Sequence, residues 1–152
     1  MIVAGIGLWL VVMRSPTRLD STKMSISFCV IARASLGLAA VVVVGAIGAV
    51  AAWAIGSWLL THIFGADFTL GGGTIALFMV GATALGLLTV TGAATLSVGA
   101  HRWYAAGWWV AAIACAALLT VPLEVTDRVA LSLVVGPLVG ASVHLGRLAT
   151  FS

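Results

Sequence analysis

The sequence predicts an all-α protein, a polytopic membrane helix bundle with four transmembrane helices and a short N-terminal apolar segment. Three observations predict it. The 152 residues are 62% hydrophobic and only 7% charged, with a mean hydropathy of +1.25, whereas an ordinary soluble domain is about 25% charged. Four apolar stretches each reach the roughly 20 residues needed to cross a bilayer. Short polar turns separate these stretches, so lipid is the expected solvent for most of the chain.

The N-terminal part is predicted to be a separate segment. Residues 1–13 are apolar but shorter than a full span. Basic residues follow this stretch rather than precede it, which is not the pattern of a secretory signal peptide. The polar stretch that comes next contains Pro16 and Asp20, which interrupt the apolar run and precede a helix. We therefore assign residues 1–24 to an apolar segment with a cytoplasmic basic linker, and residues 25–152 to the four-helix bundle.

The first two spans differ in character. The first follows an interfacial extension in which Arg33 can extend its charge toward the lipid headgroups. Trp58, near its far end, suits the opposite membrane interface. The second span contains several glycines and threonines, which let membrane helices approach closely and bond to one another. We place these spans at about residues 36–60 and 74–98.

The last two spans follow a short polar turn at residues 99–104. Aromatic residues, Trp103 and Tyr104 among them, precede the third span and suit a membrane interface. The fourth contains Pro137 between Gly136 and Gly140, a spacing that indicates a packing face rather than a dimerisation motif. We place these spans at about residues 105–125 and 129–148.

The charges predict the orientation of the bundle. Of the seven basic residues, six fall on one side of the four spans and only Arg128 falls on the other. Basic residues are enriched on the cytoplasmic side of membrane proteins, so both ends of the bundle are expected in the cytoplasm of a bacterial cell, with the protein in the plasma membrane. Scattered basic residues of this kind do not predict a nucleic-acid partner. The six are Arg14, Arg18, Lys23, Arg33, Arg102 and Arg147; Asp67, Glu124 and Asp127 lie with Arg128.

The sequence contains no convincing catalytic set. Glu124 and Asp127 are three residues apart, but an exposed turn explains them as well as an acid–base pair does. The histidines, His62, His101 and His144, have no partner at a metal-ligand spacing. Cys29 and Cys115 lie in apolar stretches, where cysteine usually behaves as a small hydrophobe. We therefore expect no enzyme activity, no catalytic residues, no bound metal and no cofactor.

A group of cationic side chains is the strongest candidate site. Its members lie near the cytoplasmic ends of the spans, where they can ring a vestibule that attracts phosphate headgroups. The alternative is that they are topology signals that contact lipid headgroups. One member, His144, is expected to be a hydrogen-bonded interfacial residue in the last turns of its span. The five candidates are Arg33, Arg102, Arg147, His101 and His144.

The region from Arg33 to Arg147 resembles the C-terminal helices of polysaccharide exporters, the Wzx-type flippases of lipid-linked oligosaccharides. An arginine enters a long span, and the outer turn Phe64-Gly65-Ala66-Asp67-Phe68 follows it. A glycine-rich span, the short basic turn Gly99-Ala100-His101-Arg102 and two further spans come next. An outer turn of this kind recurs in the family at the matching place.

The resemblance implies a transporter, in which two helix bundles rock around a cationic cavity. The substrate would be a polyprenyl-diphosphate-linked sugar, moved to the outer leaflet without any bond being broken, and Arg33, Arg102 and Arg147 would be the positions to test for diphosphate contact. Such flippases have two bundles, and this chain provides one. The second would come from further residues of the same polypeptide, from a partner membrane chain or from a homo-oligomer. The alternative function is a non-catalytic small membrane subunit, or scaffold, packed against a larger complex; a membrane enzyme is the third.

Overall fold

The computed structural model describes residues 21–67 and 69–150, with side chains described from Ser35, and this part of the chain forms four α-helices. All four are long and apolar enough to cross a membrane, the first of them over Ser35–Phe64. The predicted fold class, a multi-pass helical membrane bundle, is therefore confirmed. The helices are α1 (Ser21–Phe64), α2 (Gly72–Ser97), α3 (His101–Leu119) and α4 (Val125–Ala149).

The chain separates into two compact units, Met1–Val30 and Ile31–Ser152. Of the first unit, the described residues are the opening turns of α1. Helix α1 begins at Ser21, so it includes the last residues of the polar stretch. The apolar segment at residues 1–13 lies outside the described residues. The packing described below concerns the second unit.

The third span is the one whose predicted limits need the largest correction. The predicted turn at 99–104 is shorter than expected, because α3 already begins at His101 and ends at Leu119 instead of continuing to 125. The N–H groups of Thr120 and Val121 bond to carbonyls three residues earlier, at 3.2 Å, which tightens and closes the last turn. Pro122 follows, and its ring and missing N–H prevent the helix from continuing.

Glycines with positive φ end α1 and α2. Gly99 has a φ of 76°; its N–H bonds to the Leu96 carbonyl at 2.9 Å, and the next N–H bonds to the Thr95 carbonyl at 3.1 Å. These two bonds are those of a Schellman motif. Gly65 has a φ of 96° and donates a single bond to the Thr61 carbonyl at 3.1 Å. A side chain would be strained at either position, so both turns depend on glycine.

Helix α1 packs against α2 in an antiparallel direction through its glycines. A Cβ placed on Gly37 would lie 3.6 Å from Val90, and one placed on Gly56 would lie 3.1 Å from Ile75. Residue numbers therefore rise along α1 as they fall along α2. A hydrogen bond of 2.6 Å from Ser57 Oγ to the Leu70 carbonyl ties the end of α1 to the connecting loop.

Helix α4 lies between α2 and α3 and contacts both. It runs parallel to α2, since a Cβ on Gly81 would lie 2.9 Å from the Leu133 Cβ, and a Cβ on Gly140 would lie 3.0 Å from Leu88. It runs antiparallel to α3, since Gly136 faces Cys115 and Gly140 faces Gly107. The buried residues of this seam are nearly all small, which is how membrane helices achieve close packing.

The predicted packing face in the last helix is present: Gly136, Pro137 and Gly140 are all buried. Large apolar side chains lie mainly on the outside, as Val44 and Trp53 do with 70% and 67% of their surfaces exposed. An outer surface of this composition fits hydrocarbon as its solvent.

Candidate functional site

Three of the predicted cationic residues meet at an open pocket where α2 ends, α3 begins and α4 ends. The pocket has a volume of about 650 Å³. Residues 98–100 form part of its wall. His101, Arg102, Trp103 and Arg147 provide its polar and aromatic lining. The structure therefore brings together cationic residues of α3 and α4 that are more than forty residues apart in the sequence.

The side chain of Arg147 is fixed in this pocket by its neighbours. Its guanidinium carbon lies 5.7 Å from the centroid of the Trp103 ring, within the range of a cation–π interaction. Its Nη1 donates to Thr150 Oγ1 at 3.1 Å. That hydroxyl in turn donates to the Arg147 carbonyl at 2.7 Å. A half-buried arginine held in this way presents its charge to the pocket from a defined position.

The first turn of α3 adds to the positive character of the pocket. Ala100 precedes the helix and provides no side-chain cap, so the initial N–H groups of α3 point out of the helix end. The positive end of the helix dipole lies there as well. Basic side chains at this end oppose the dipole, so helix stability does not explain His101 and Arg102. Their positions fit an anion or the membrane orientation better.

His144 lies behind the pocket, buried in the seam of α2, α3 and α4. Its exposed fraction is 0%. Its Nδ1 lies 3.2 Å from Thr91 Oγ1 on α2, and its Nε2 lies 3.1 Å from the Tyr104 carbonyl on α3. The Tyr104 ring is parallel to the imidazole, with 6.1 Å between centroids. Gly92 and Gly107 leave room for the imidazole, because a Cβ on Gly107 would overlap the ring.

The five predicted site residues thus separate into three groups. His101, Arg102 and Arg147 line one pocket. His144 does not line it: two glycines and a threonine on neighbouring helices enclose its ring, and each ring nitrogen lies within hydrogen-bond distance of a partner. Arg33 belongs to α1, and its side chain lies outside the described residues.

Sequence reasoning missed the partners of these residues. Trp103 was predicted only as an aromatic residue of the membrane interface, whereas its ring also contacts the guanidinium group of Arg147. Thr91 and Tyr104 were not connected with His144, because they are 53 and 40 residues away in the chain. The sequence contained only a weak indication of this site. Gly92 and Gly107 are residues that allow helices to approach closely, but nothing in the sequence showed that both lie against the same imidazole ring.

The acidic residues with described positions lie at the other end of the bundle. Asp67 lies in the loop between α1 and α2, and Glu124 and Asp127 lie around the start of α4. Arg128 is also there, and its Nη1 donates to the Leu119 carbonyl at 3.3 Å. Among residues 35–67 and 69–150, whose side chains the structure describes, no three histidine, cysteine or acidic side chains are grouped closely enough to hold a metal ion.

A second pocket at that same end is apolar. It has a volume of about 300 Å³ and lies between the last turns of α1 and the first turns of α2. Its lining includes Gly56, Ile63, Ile75 and Met79. Its composition offers a surface for hydrocarbon and no means of binding a headgroup.

Comparison with known proteins gives relatives but no family. The uncharacterized protein Rv1510 of Mycobacterium tuberculosis is 41% identical over 106 residues, which are 70% of this chain and 24% of that protein. The uncharacterized proteins Rv3630 of the same species and Mb3654 of Mycobacterium bovis are each 39% identical over 106 residues, 70% of this chain and 25% of theirs. The chain spans about a quarter of the length of the curated relatives it matches. No family model matches the chain, and no solved structure does.

Proposed function

We propose that this chain is a membrane transport module for the export of lipid-linked polysaccharide precursors. The observation that carries the proposal is the pocket lined by His101, Arg102 and Arg147. Ligand pockets usually have volumes of about 300–1,000 Å³, and this one has about 650 Å³. In the proposed function, it holds the diphosphate headgroup of the polyprenyl-linked sugar.

The chemistry of the lining fits a phosphate group. Guanidinium groups donate paired hydrogen bonds to phosphate oxygens, and these bonds strengthen where water is partly excluded. The uncapped start of α3 adds N–H donors and dipole. None of the described residues that line the pocket is acidic. The module moves its substrate without breaking a bond, and no catalytic residue is assigned.

The proposed orientation places the pocket at the cytoplasmic end. The basic residues would then satisfy the positive-inside rule, and the pocket would meet substrate headgroups at the inner leaflet. The acidic end would face the outside of the plasma membrane.

The lengths of the relatives support a second bundle. Because 106 residues are 24% of Rv1510, that protein is about 440 residues long. Four helices occupy residues 21–150 here, so a chain of that length has room for about a dozen. Alternating access moves one bundle against another around a shared site. The transport proposal therefore includes a second bundle, supplied by the same polypeptide or by a partner membrane chain.

A specific observation also favours the alternative, a non-catalytic subunit that packs against a larger complex. Large apolar side chains of α1 are exposed along its length, from Leu36 to Phe64. A scaffold would cover this surface with a partner, whereas a transport module would leave part of it to lipid. In the transport function the pocket binds the substrate headgroup, whereas a scaffold does not need the pocket to bind anything. A measurement of headgroup binding therefore distinguishes the two functions.

The decisive experiment is substrate binding to the protein in nanodiscs, with polyprenyl diphosphate as the probe. Arg102→Gln should weaken binding about tenfold or more, since a hydrogen bond to a charged group contributes about 1.5–3 kcal/mol. Arg147→Gln should act similarly. Arg128→Gln is the matched control, because it removes the same charge at the opposite end. Equal affinities in all three variants would contradict the headgroup site and leave the scaffold as the better proposal.

A second measurement concerns the missing bundle. The intact mass of the protein purified from its native membranes shows whether further helices belong to the same polypeptide. A mass several times 15.4 kDa favours a complete two-bundle transporter in one chain. A mass near that value requires a partner chain, and the co-purified membrane proteins then identify it.

A further inference from the structure

The hydrogen bonds around His144 identify the nitrogen that carries a proton. A backbone carbonyl can only accept a hydrogen bond, so His144 Nε2, at 3.1 Å from the Tyr104 carbonyl, must be the donor. The Nε2 atom is therefore protonated whether the ring is neutral or charged. The remaining question is whether Nδ1 donates to Thr91 or accepts from it.

The Thr91 hydroxyl has one hydrogen and three potential acceptors. Its oxygen lies 2.8 Å from the Leu87 carbonyl, one turn earlier on α2, 3.1 Å from the Leu88 carbonyl and 3.2 Å from His144 Nδ1. Other threonines of α2 donate to the carbonyl four residues earlier at the same distance: 2.8 Å for Thr83 and 2.9 Å for Thr95. If Thr91 donates to Leu87 in the same way, Nδ1 must be the donor to Thr91, and the ring carries two protons and a positive charge.

A neutral His144 ring can also form hydrogen bonds at both of its nitrogens. The Thr91 hydroxyl then rotates and donates to the bare Nδ1, while the Leu87 carbonyl keeps its place in the helix. In neither arrangement is a polar atom of His144 or Thr91 left without a partner, which is the costly condition for a buried group. The two arrangements differ by one proton and one hydroxyl rotation.

The charged and titratable groups near His144 are few. On α2 its neighbours are Thr91 and Gly92, neither of which titrates. On α3 it faces Tyr104 and Gly107. On its own helix, Arg147 lies one turn further and reaches the pocket. The described carboxylates lie at the opposite end of the bundle, so none of them is placed to fix the imidazole in its charged form.

From this geometry we infer that His144 is a proton-binding site inside the bundle. The proton comes from bulk water and binds the lone pair of Nδ1, forming a new N–H bond and an imidazolium. The Thr91 hydroxyl then turns from Nδ1 to the Leu87 carbonyl, and release of the proton to water reverses both changes. Ionisable residues inside membrane bundles commonly serve proton transfer.

The inference also connects the proton with the pocket. Arg147 and an imidazolium at His144 repel each other across one helical turn, and an anion bound in the pocket reduces that repulsion. Anion binding and proton binding therefore favour each other, and this coupling is reciprocal. This second step rests on the proposed function, since it makes the affinity of the pocket for the lipid diphosphate depend on the protonation of His144.

The first test needs no transport. His62→Asn and His101→Asn leave His144 as the one histidine of the three in the sequence. Its ring nitrogens are followed by ¹⁵N NMR of the full chain in nanodiscs between about pH 5 and pH 8. We expect Nε2 to stay protonated throughout while Nδ1 gains a proton as the pH falls. A constant Nδ1 signal, or a bare Nε2, would overturn the inference.

Thr91→Val tests the mechanism of the switch. The imidazolium loses the acceptor for Nδ1, so its titration step should move to lower pH by about one unit, as expected for one lost charge-assisted hydrogen bond. Thr91→Ser should restore the wild-type step. Thr95→Val is the matched control, because Thr95 is equally buried but bonds only within its own helix. A shift of the same size in the control would assign the effect to general loss of packing and overturn the switch.

The link to transport is tested separately. Inorganic pyrophosphate, the probe for the pocket, should move the His144 titration step to higher pH, and Arg147→Gln should abolish this shift. An unchanged step with pyrophosphate bound overturns the coupling. In a reconstituted transport assay with polyprenyl diphosphate, His144→Gln should remove the dependence of flux on a proton gradient. Flux that is absent in the wild-type protein contradicts the proposed function, whereas the NMR titration still decides the proton site.

Discussion

Gly140 should be the least replaceable position of the seam between α3 and α4. A Cβ on Gly140 would lie 2.6 Å from the Gly107 carbonyl oxygen and 2.7 Å from the Ala111 Cβ. Both of these atoms belong to the backbone or are fixed to it, so no side-chain rotation relieves the contact. Ordinary contact begins at 3.4 Å, and the two helices would have to separate by about 0.8 Å. We therefore expect Gly140→Ala to destabilise the bundle.

The size of the effect follows from the contacts that this separation weakens. A gap of about 0.5–1 Å forfeits a quarter to a half of each dispersion contact, which is worth about 0.1–0.2 kcal/mol. If roughly 25 atom pairs cross this part of the seam, about half of those made by a buried leucine, the loss is about 1–2 kcal/mol. Overpacked sites typically lose about 1–3 kcal/mol. The expected cost is therefore about 2 kcal/mol, or roughly 30-fold in the unfolding equilibrium.

The assay compares Gly140→Ala with Gly146→Ala in reversible unfolding from detergent micelles. A Cβ on Gly146 would meet nothing within 4 Å, and both glycines lie in α4. Both variants gain the same helix propensity from alanine, so the difference between them isolates the steric term. If the two variants unfold with the same free energy, the close contact between α3 and α4 is refuted, and with it the enclosure of His144.

Two further changes test the contact between α1 and α2 by the same unfolding assay. Ser57→Ala removes the hydrogen bond to the Leu70 carbonyl and should lower the free energy of unfolding by about 1 kcal/mol. Ser97→Ala, the control, removes an exposed hydrogen bond within its own helix and should lower it by less. Equal losses of stability would mean that the bond from Ser57 to the loop is not formed. Gly45→Ala places a Cβ inside the Thr83 side chain and should cost about 1–3 kcal/mol; an alanine variant as stable as wild type would contradict this packing.

The four apolar helices were largely predictable because hydrophobicity is a local property. A helix in lipid must satisfy its own backbone bonds, so each apolar stretch of sufficient length forms a helix whatever its neighbours do. The second span was accordingly predicted within two residues at either end. The start of the third was misplaced, because Trp103 and Tyr104 were assigned to a turn when they belong to the helix itself.

The candidate site was predictable only in part, because the sequence gives the position of a residue along a helix but not the direction in which its side chain points. Charge position along the chain placed His101, Arg102 and Arg147 at one end of the bundle, since alternate helix ends share a side. It gave no information on depth or on rotation about the helix axis. His144 lies only three residues from Arg147, yet one faces the seam and the other the pocket.

The sequence by itself determined that the described residues form four helices long and apolar enough to cross a membrane, with a basic end opposite an acidic one, because length, apolarity and charge are properties of each segment. Only the tertiary structure decided that α4 lies between α2 and α3, and that Thr91 and Tyr104 enclose His144. These arrangements depend on which small residues of different helices meet, as Gly107 and Gly140 do. Glycines are numerous in the chain, with 18 in all, and their partners are fixed only when the helices pack in three dimensions.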